Sequence, residues 1–484
     1  MHEIITLQLG QRSNYLATHF WNTQESYFTY SADQESLIDH DIHFRPGIGA
    51  DGTETFTPRT VIYDLKGGFG SLKKINALYE IEEPVISDGL WNGPAVVQRQ
   101  AIIQQNPYQQ SLEQGLEPPP LTTESVRYWS DFNRVYFHPK SVIQLNEYEL
   151  NSALMPFENW FTGDELFNSL DKEHDLLDRD LRPFVEEADQ MQGIQLMTGV
   201  DDAWGGFAAR YMDRLRDEYG KTAVWVWGVE DSIKNVPREK QFLKLANSAR
   251  SVSEIASQAS LYIPMTLPST MLPSYVTIDP KSHWHVSGLL SAAMESMTLP
   301  SRLKLHAGTR ETLDQITSVL NVNGNQNIAK LRMSVDQKSV TVLNGEGHDR
   351  SGRLEIRAQS RDMRIASRER STDALQVTAQ DEVATFDIDF FPTDATEHTR
   401  GRQNTKKAHV FGQAENYRGE EDEESDKANE EDEDHERARR RAAGLPTLQK
   451  VIDVDEREAL SNSLGEIAEA YEEGWDSGSD EDDD

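Results

Sequence analysis

At 484 residues with a formal charge of -35 and no cysteine, the chain is long enough for at least two cores and has no disulfide, thiolate zinc site or cysteine nucleophile. No apolar run approaches the roughly 18 residues of a spanning helix, and the longest, 223–229, is strand-sized. Residues 415–484 hold 27 acidic and 8 basic side chains, a net -19, which leaves a mildly acidic remainder and no basic face for nucleic acid.

The chain opens MHEIITLQLGQRSNYLATHFW. Residues 4–9 read as a buried strand that ends at Gly10 and turns into a helix, which places backbone N–H groups where a macrodipole favours an anion. The opening lacks the basic flank and apolar core of a signal peptide. Arg12 is the sole Lys or Arg in residues 1–40, unlike a matrix-targeting presequence, so contact with an organelle is expected from the cytosolic side. A polar insertion at 31–57 reads as a loop or short hairpin. Residues 61–63 form a second buried strand with Asp64 at its carboxyl end. Gly67, Gly68 and Gly70 make the turn, and Ser71 is placed to cap a helix over 72–79.

A helix is expected over 95–105, then a break at Pro118-Pro119-Pro120, then a strand within 134–145. Residues 194–197 read as a strand, followed by a glycine-containing loop and a helix over 204–219 that stops at Gly220. Residues 223–229 are the next strand, with Trp225 and Trp227 on one core-facing side. Helices follow at 240–259 and 285–297. Strands alternating with helices argue for a doubly wound parallel sheet, an α/β class. Strand-like runs at 331–335, 339–343 and 354–358 suggest a smaller α+β domain. Beyond 393 the composition favours disorder, with helices at 436–443 and 453–470.

The N-terminal run resembles that of tubulin, whose first loop carries a GQxGNQ-type motif against the nucleotide. Gly10, Gln11 and Asn14 match it, and Ser13 replaces the second glycine. PRTVIYDLKGGFGSLKK, LRPFVEEADQMQGIQLMTG, TAVWVWGV and HVSGLLSAAMESMTLPSRL resemble further tubulin segments in the same order over residues 1–305. With RVYFHPKSVIQL and FENWFTGDELF, the combination is similar to the Misato family. That resemblance implies a tubulin-like nucleotide-binding-type parallel sheet domain, a smaller α+β domain and a disordered acidic C-terminal tail. The expected divisions are a Misato/tubulin-like N-terminal segment at 1–120, the rest of the α/β domain at 121–300, the smaller domain at 301–392 and the tail at 393–484.

The resemblance makes Gly10, Gln11, Asn14, Asp64, Gly67, Gly199 and Gly205 the candidate nucleotide site, with GTP as the cofactor to test and no metal site. Where tubulin carries its phosphate loop GGGTGSG, this chain reads Thr198-Gly199-Val200-Asp201-Asp202-Ala203-Trp204-Gly205-Gly206. Asp201 and Asp202 put negative charge where a polyphosphate would sit, and two unit charges about 4 Å apart repel by roughly 4 kcal/mol at an effective dielectric of 20. The activating GQLNxD-type loop is replaced by PSRLKLHA at 300–307, so hydrolysis has no visible machinery. Asp64 could hold Mg2+ through water or serve as a turn residue accepting from the Gly67–Gly68 turn. His40-Asp41-Ile42-His43 reads as a solvated loop, and His283 and His285 as structural residues sharing one strand face.

The altered phosphate loop and the missing hydrolysis loop make the expected protein a non-catalytic tubulin-like one, and the family resemblance implies that it acts in partitioning mitochondria and their DNA through protein contacts. Expected partners lie on the cytosolic side of mitochondria, with the cytosolic chaperonin or the cytoskeleton as alternatives, and the expected locations are the outer mitochondrial face and the cytoplasm. The alternative function is a GTP-binding or GTPase filament protein, or a partner in tubulin folding or microtubule organisation. The acidic tail reads either as an electrostatic arm for a basic partner or as a solubility device.

Overall fold

The structure, a computed structural model, describes residues 3–29, 35–49, 52–73, 78, 103–233, 236–268, 272–273, 275–304, 310–336, 385–392 and 454–472. In chain order the first elements are β1 Glu3–Leu9, α1 Gln11–Ser26, β2 Phe44–Ile48, β3 Glu54–Pro58, β4 Thr60–Lys66, α2 Pro107–Glu113, β5 Val142–Glu149, α3 Trp160–His174 and α4 Arg182–Val185. Then come β6 Met191–Gly199, α5 Ala203–Glu218, β7 Ala223–Glu230, α6 Arg238–Ser251, β8 Leu261–Thr266, α7 His283–Thr298, α8 Leu313–Leu320, β9 Arg332–Asp336, β10 Thr385–Asp389 and α9 Val454–Glu472.

Six strands form one sheet in the order β5-β4-β1-β6-β7-β8, all neighbours parallel. By position in the chain this is the 3-2-1-4-5-6 order of a doubly wound fold, whose ligand crevice lies outside the carboxyl ends where the order reverses. Strands covered on both faces read as continuous apolar runs, and every residue of β1 and β7 is buried accordingly. Ile5, Leu7 and Leu9 face a core built with α3 and α5, while Ile4 faces one built with α1 and α7 that also buries Trp225 and Trp227. Leu9 pairs with Tyr63 on one side and Thr198 on the other. The register therefore sets Gly10, Asp64 and Gly199 side by side at the crevice.

The expected strands at 61–63, 194–197 and 223–229 are present with extended ends, and the polar insertion holds the β2–β3 hairpin. The strand sought within 134–145 begins only at Val142, because Pro139 opens a short 3-10 turn. β8 has no counterpart in the sequence reading, since Pro264 interrupts it. As the edge strand it tolerates proline: Tyr262 and Thr266 donate outward, to the carbonyls of Asn327 and Phe390, and Pro264 falls between them. α3 was also not anticipated. Leu72, Lys73 and Leu78 are not helical, nor are 103–105; the remainder of both expected helices lies outside the described residues. So do the runs at 339–343 and 354–358 and the helix at 436–443. Within 310–392, Leu313, Leu331, Ile388 and Phe390 join the core beneath α1 and α7.

Candidate functional site

A cleft of about 690 Å³ opens at the carboxyl ends of the central strands. α1 and α5 both start at its floor, so two helix N-termini point at the place a phosphate would occupy. Each is already covered by the chain itself.

At α5, Asp202 is the N-cap, and its carboxylate accepts from the Trp204 N–H at 2.9 Å. An anion at a helix N-terminus is stabilised by the unpaired N–H groups and the macrodipole, and here that anion is a side chain. Trp204 follows in the first turn. Side chains lean toward the N-terminus of their helix, so its indole reaches across to Gly10 at the cap of α1. A Cβ at Gly10 would collide with the ring, and the residue has φ of 82°, which favours glycine.

Arg12 closes the arrangement. Its guanidinium pairs with Asp201 and Asp202 and lies 3.6 Å from Asp231. Lys244 of α6 reaches Asp201 at 2.7 Å and Asp231 at 3.2 Å. Burial alone would pull the Arg12 guanidinium down, but the three carboxylates outweigh it and hold it above its ordinary range. Burial likewise pushes Asp231 up, yet Arg12 and Lys244 keep it well below the usual carboxylate range. For Asp202 burial prevails over Arg12, and its carboxyl titrates above the ordinary value. The like charges of Asp201 and Asp202 are thus matched by cations distant in sequence. Among the described residues the other cleft cations are paired as well: Lys240 with Glu158 at 2.8 Å and Arg127 with Asp131 at 3.2 Å.

Beside this network, Asp64 is fully buried at the end of β4. Gln11 Nε2 donates to it at 2.5 Å, Asn14 Nδ2 at 2.8 Å, Trp129 Nε1 at 3.1 Å and the Leu65 N–H at 2.8 Å. Burial pushes its carboxyl up to about 7, against the pull of those donors. The donors are not the Gly67–Gly68 turn amides: the Gly68 N–H goes to the Leu65 carbonyl, and the Gly68 carbonyl takes a second bond from Gln11.

The structure therefore brings Gly10, Gln11, Asn14, Asp64 and Gly199 together. Gln11 and Asn14 both donate to Asp64, and Gly199 lies against Arg12 and Asp202. Gly67 takes φ of 84° in the turn, with open space where a side chain would project. Gly205 falls in the first turn of α5, where a side chain would run into Ser251 Oγ of α6, so close helix packing requires a glycine there. The residues at the phosphate position do not fit a polyphosphate, because a carboxylate and an indole occupy it. Sequence reasoning missed Arg12, Lys244, Asp231, Trp129 and the role of Trp204. A large aromatic in the first turn after the loop was the one signal available.

The histidines also differ from expectation. His43 is buried edge-on against Phe20 and Trp21, and burial drives its imidazole well below the ordinary value. His40 stacks on Phe28 at 3.7 Å. The segment is a packed turn because its rings meet Phe20 and Trp21 of α1 and Phe28 just beyond it. His283 and His285 lie in the first turn of α7, where residues two apart do not share a face. Among the described residues no group of three His, Asp or Glu is placed to hold a metal ion, and no helix is long and apolar enough to cross a membrane.

The sheet order, the strand–glycine–helix opening and the crevice between α1 and α5 define a tubulin-like α/β protein. Residues 118–303 match the family described as Tubulin domain, and residues 2–114 match the Misato Segment II tubulin-like domain. The chain is 50% identical to protein dml-1 of Neurospora crassa over the whole of both chains, and 46% identical to protein dml1 of Aspergillus oryzae over 99% of each. Protein dml1 of Schizosaccharomyces pombe is 35% identical over 63% of this chain and 66% of its own. The chain belongs to the Misato/DML1 family of tubulin-like proteins.

Proposed function

We propose that this chain is a non-catalytic tubulin-like protein that acts in the partitioning of mitochondria and the inheritance of their DNA through protein contacts, from the cytosolic face of the organelle and the cytoplasm. The observation that carries the non-catalytic part is the filled phosphate position, with Asp202 capping α5, Arg12 bound to it and Trp204 over Gly10. Among the described residues the two cations here, Arg12 and Lys244, are already held by three carboxylates of the chain, which leaves neither to draw or activate a nucleotide. The family resemblance supports the organelle part.

Nucleotide extraction from the purified native chain tests the first part. The expected result is no stoichiometric GTP or GDP and no rise in melting temperature with millimolar Mg-GTP. A ligand at 100 times its dissociation constant would add about 2.7 kcal/mol, which a melting curve resolves. Stoichiometric guanine nucleotide would overturn the reading. Depletion in cells tests the second part, with clumped mitochondria and falling mitochondrial DNA content as the expected outcome. Normal distribution and content on full depletion would remove it.

A further inference from the structure

The acidic C-terminal region contains a docked helix. α9 carries one stripe of part-buried positions, with Leu464 5% exposed and Ile467 and Tyr471 packed on the core beside it. Four of its described residues make polar contacts with the body. Glu456 pairs with Arg250 at 2.6 Å, Ser463 Oγ meets Ser253 Oγ at 2.7 Å, the Ala470 carbonyl accepts from Gln326 at 3.2 Å, and the Tyr471 hydroxyl bonds both the N–H (2.6 Å) and the carbonyl (3.0 Å) of Ile328. Ile328 belongs to the segment that covers the open edge of β8. α9 thus straps down an edge cover, with Leu464 the single deeply buried side chain among its described residues. Elements held this lightly open locally far below the cost of global unfolding.

Ser463 sits at the centre of that contact. It is followed by Leu464-Gly465-Glu466, so a carboxylate stands three residues on, with Glu469 beyond and Asp453, Asp455, Glu456 and Glu458 before it. This is an acidic surround of the kind that acidophilic serine kinases recognise. The Oγ–Oγ gap of 2.7 Å has no room for a phosphoryl group, and Glu254 adjoins Ser253 on the facing element. Arg250 is held by Glu456, seven residues and about 10 Å back along α9. The Glu254 carboxylate is engaged by Arg210 at 3.1 Å, so what a phosphate at this position meets is a part-buried packed surface, a setting in which phosphorylation disrupts a contact.

We propose that Ser463 is a phosphorylation site for an acidophilic serine kinase and that its phosphate releases α9 from the body. In the transfer, Ser463 Oγ bonds to the γ-phosphorus of a nucleoside triphosphate held by the kinase. The bond from that phosphorus to the β–γ bridging oxygen breaks, the diphosphate leaves, and the hydroxyl proton passes to the kinase. Release uncovers Arg250 and the Ile328 edge segment together.

The test uses the full chain with Ser477→Ala and Ser479→Ala, because those serines also lie among acids. An acidophilic kinase shown to label Ser477 or Ser479 in the unsubstituted chain is applied with ATP. Mass spectrometry locates the phosphate, and hydrogen exchange reads 454–472 and 326–331. The expected result is phosphate on Ser463 with exchange in both segments faster by about tenfold or more. Ser463→Ala should take no phosphate there and exchange as the parent does. Ser253→Ala, which removes the hydrogen bond without adding charge, should change exchange by less than about threefold. Absence of phosphate at Ser463, or phosphate with unchanged or slower exchange, would overturn the proposal. So would release by Ser253→Ala alone, because charge would then not be the agent.

Discussion

Arg12 follows Gln11 at the start of α1, and its guanidinium is the hub of a buried network of two cations and three carboxylates. Removing one partner of a buried pair leaves uncompensated charge, at a cost of about 3–5 kcal/mol. Arg12→Leu is therefore expected to lower the urea-unfolding free energy by that order, and adding Asp201→Asn and Asp202→Asn should recover part of the loss. Asp64 gives a second residue-scale expectation. Its carboxyl, held near 7 in the fold, lies above the ~3.9 of an unfolded Asp. The folded state keeps a proton that the unfolded state releases between roughly pH 4 and 7, so this contribution is full at low pH and falls as pH rises, by at most about 1.4 kcal/mol per unit. Asp64→Asn has no such slope. The stability of the parent relative to Asp64→Asn should fall between about pH 5 and 7.5 in paired urea titrations, and a rise would mean that the carboxylate is ionised in the fold. The sequence made the acidic pair at 201–202 legible as hostile to phosphate. It could not reveal the neutralising partners, since Arg12 stands 190 residues from Asp202 and Lys244 stands 43 from Asp201.

At the scale of elements, Gly206, in the stretch aligned with the phosphate loop, and Gly163 are contact points between helices. A side chain at Gly163 of α3 would meet the Ala203 carbonyl, and one at Gly206 of α5 would meet the backbone of Trp160 and Asp164. The two backbones touch at this crossing, so Gly206→Ala should part the helices and cost about 1–3 kcal/mol, seen as a lower urea midpoint with unchanged slope. Gly465 in α9 provides the contrast, because a Cβ there meets nothing within 4 Å. Gly465→Ala should stabilise by up to about 1 kcal/mol through helix propensity. The same substitution is expected to have opposite signs in two helices. Strands β1, β4, β6 and β7 were legible because a parallel sheet buries both faces and leaves unbroken apolar runs. β8 and α3 were not, because Pro264 and Gly163 look like interruptions until the neighbouring strand edge and helix crossing are known.

At the scale of the whole molecule, the chain closes on itself at the β8 edge. The acidic C-terminal region was legible from composition, and a helix over 453–470 from its spacing. Its docking was not, since its partners Arg250 and Ile328 lie 206 residues before Glu456 and 143 before Tyr471. Two truncations separate the charge of this region from its packing. Ending the chain after Glu472 removes seven carboxylates and no described contact. Its unfolding free energy should stay within about 0.5 kcal/mol of the full chain, as for surface changes away from packed features. Ending it after Asp453 removes α9. Burying a leucine side chain is worth about 1.5–3 kcal/mol, so the loss of Leu464 alone should lower stability by that much. The shorter chain should also expose the segment at 327–329 that covers β8, and an uncovered sheet edge invites pairing with a second copy. Light scattering at rising concentration should then show self-association for the chain ending at Asp453 and none for the chain ending at Glu472. Equal behaviour of the two would mean that α9 contributes charge to this molecule and no closure.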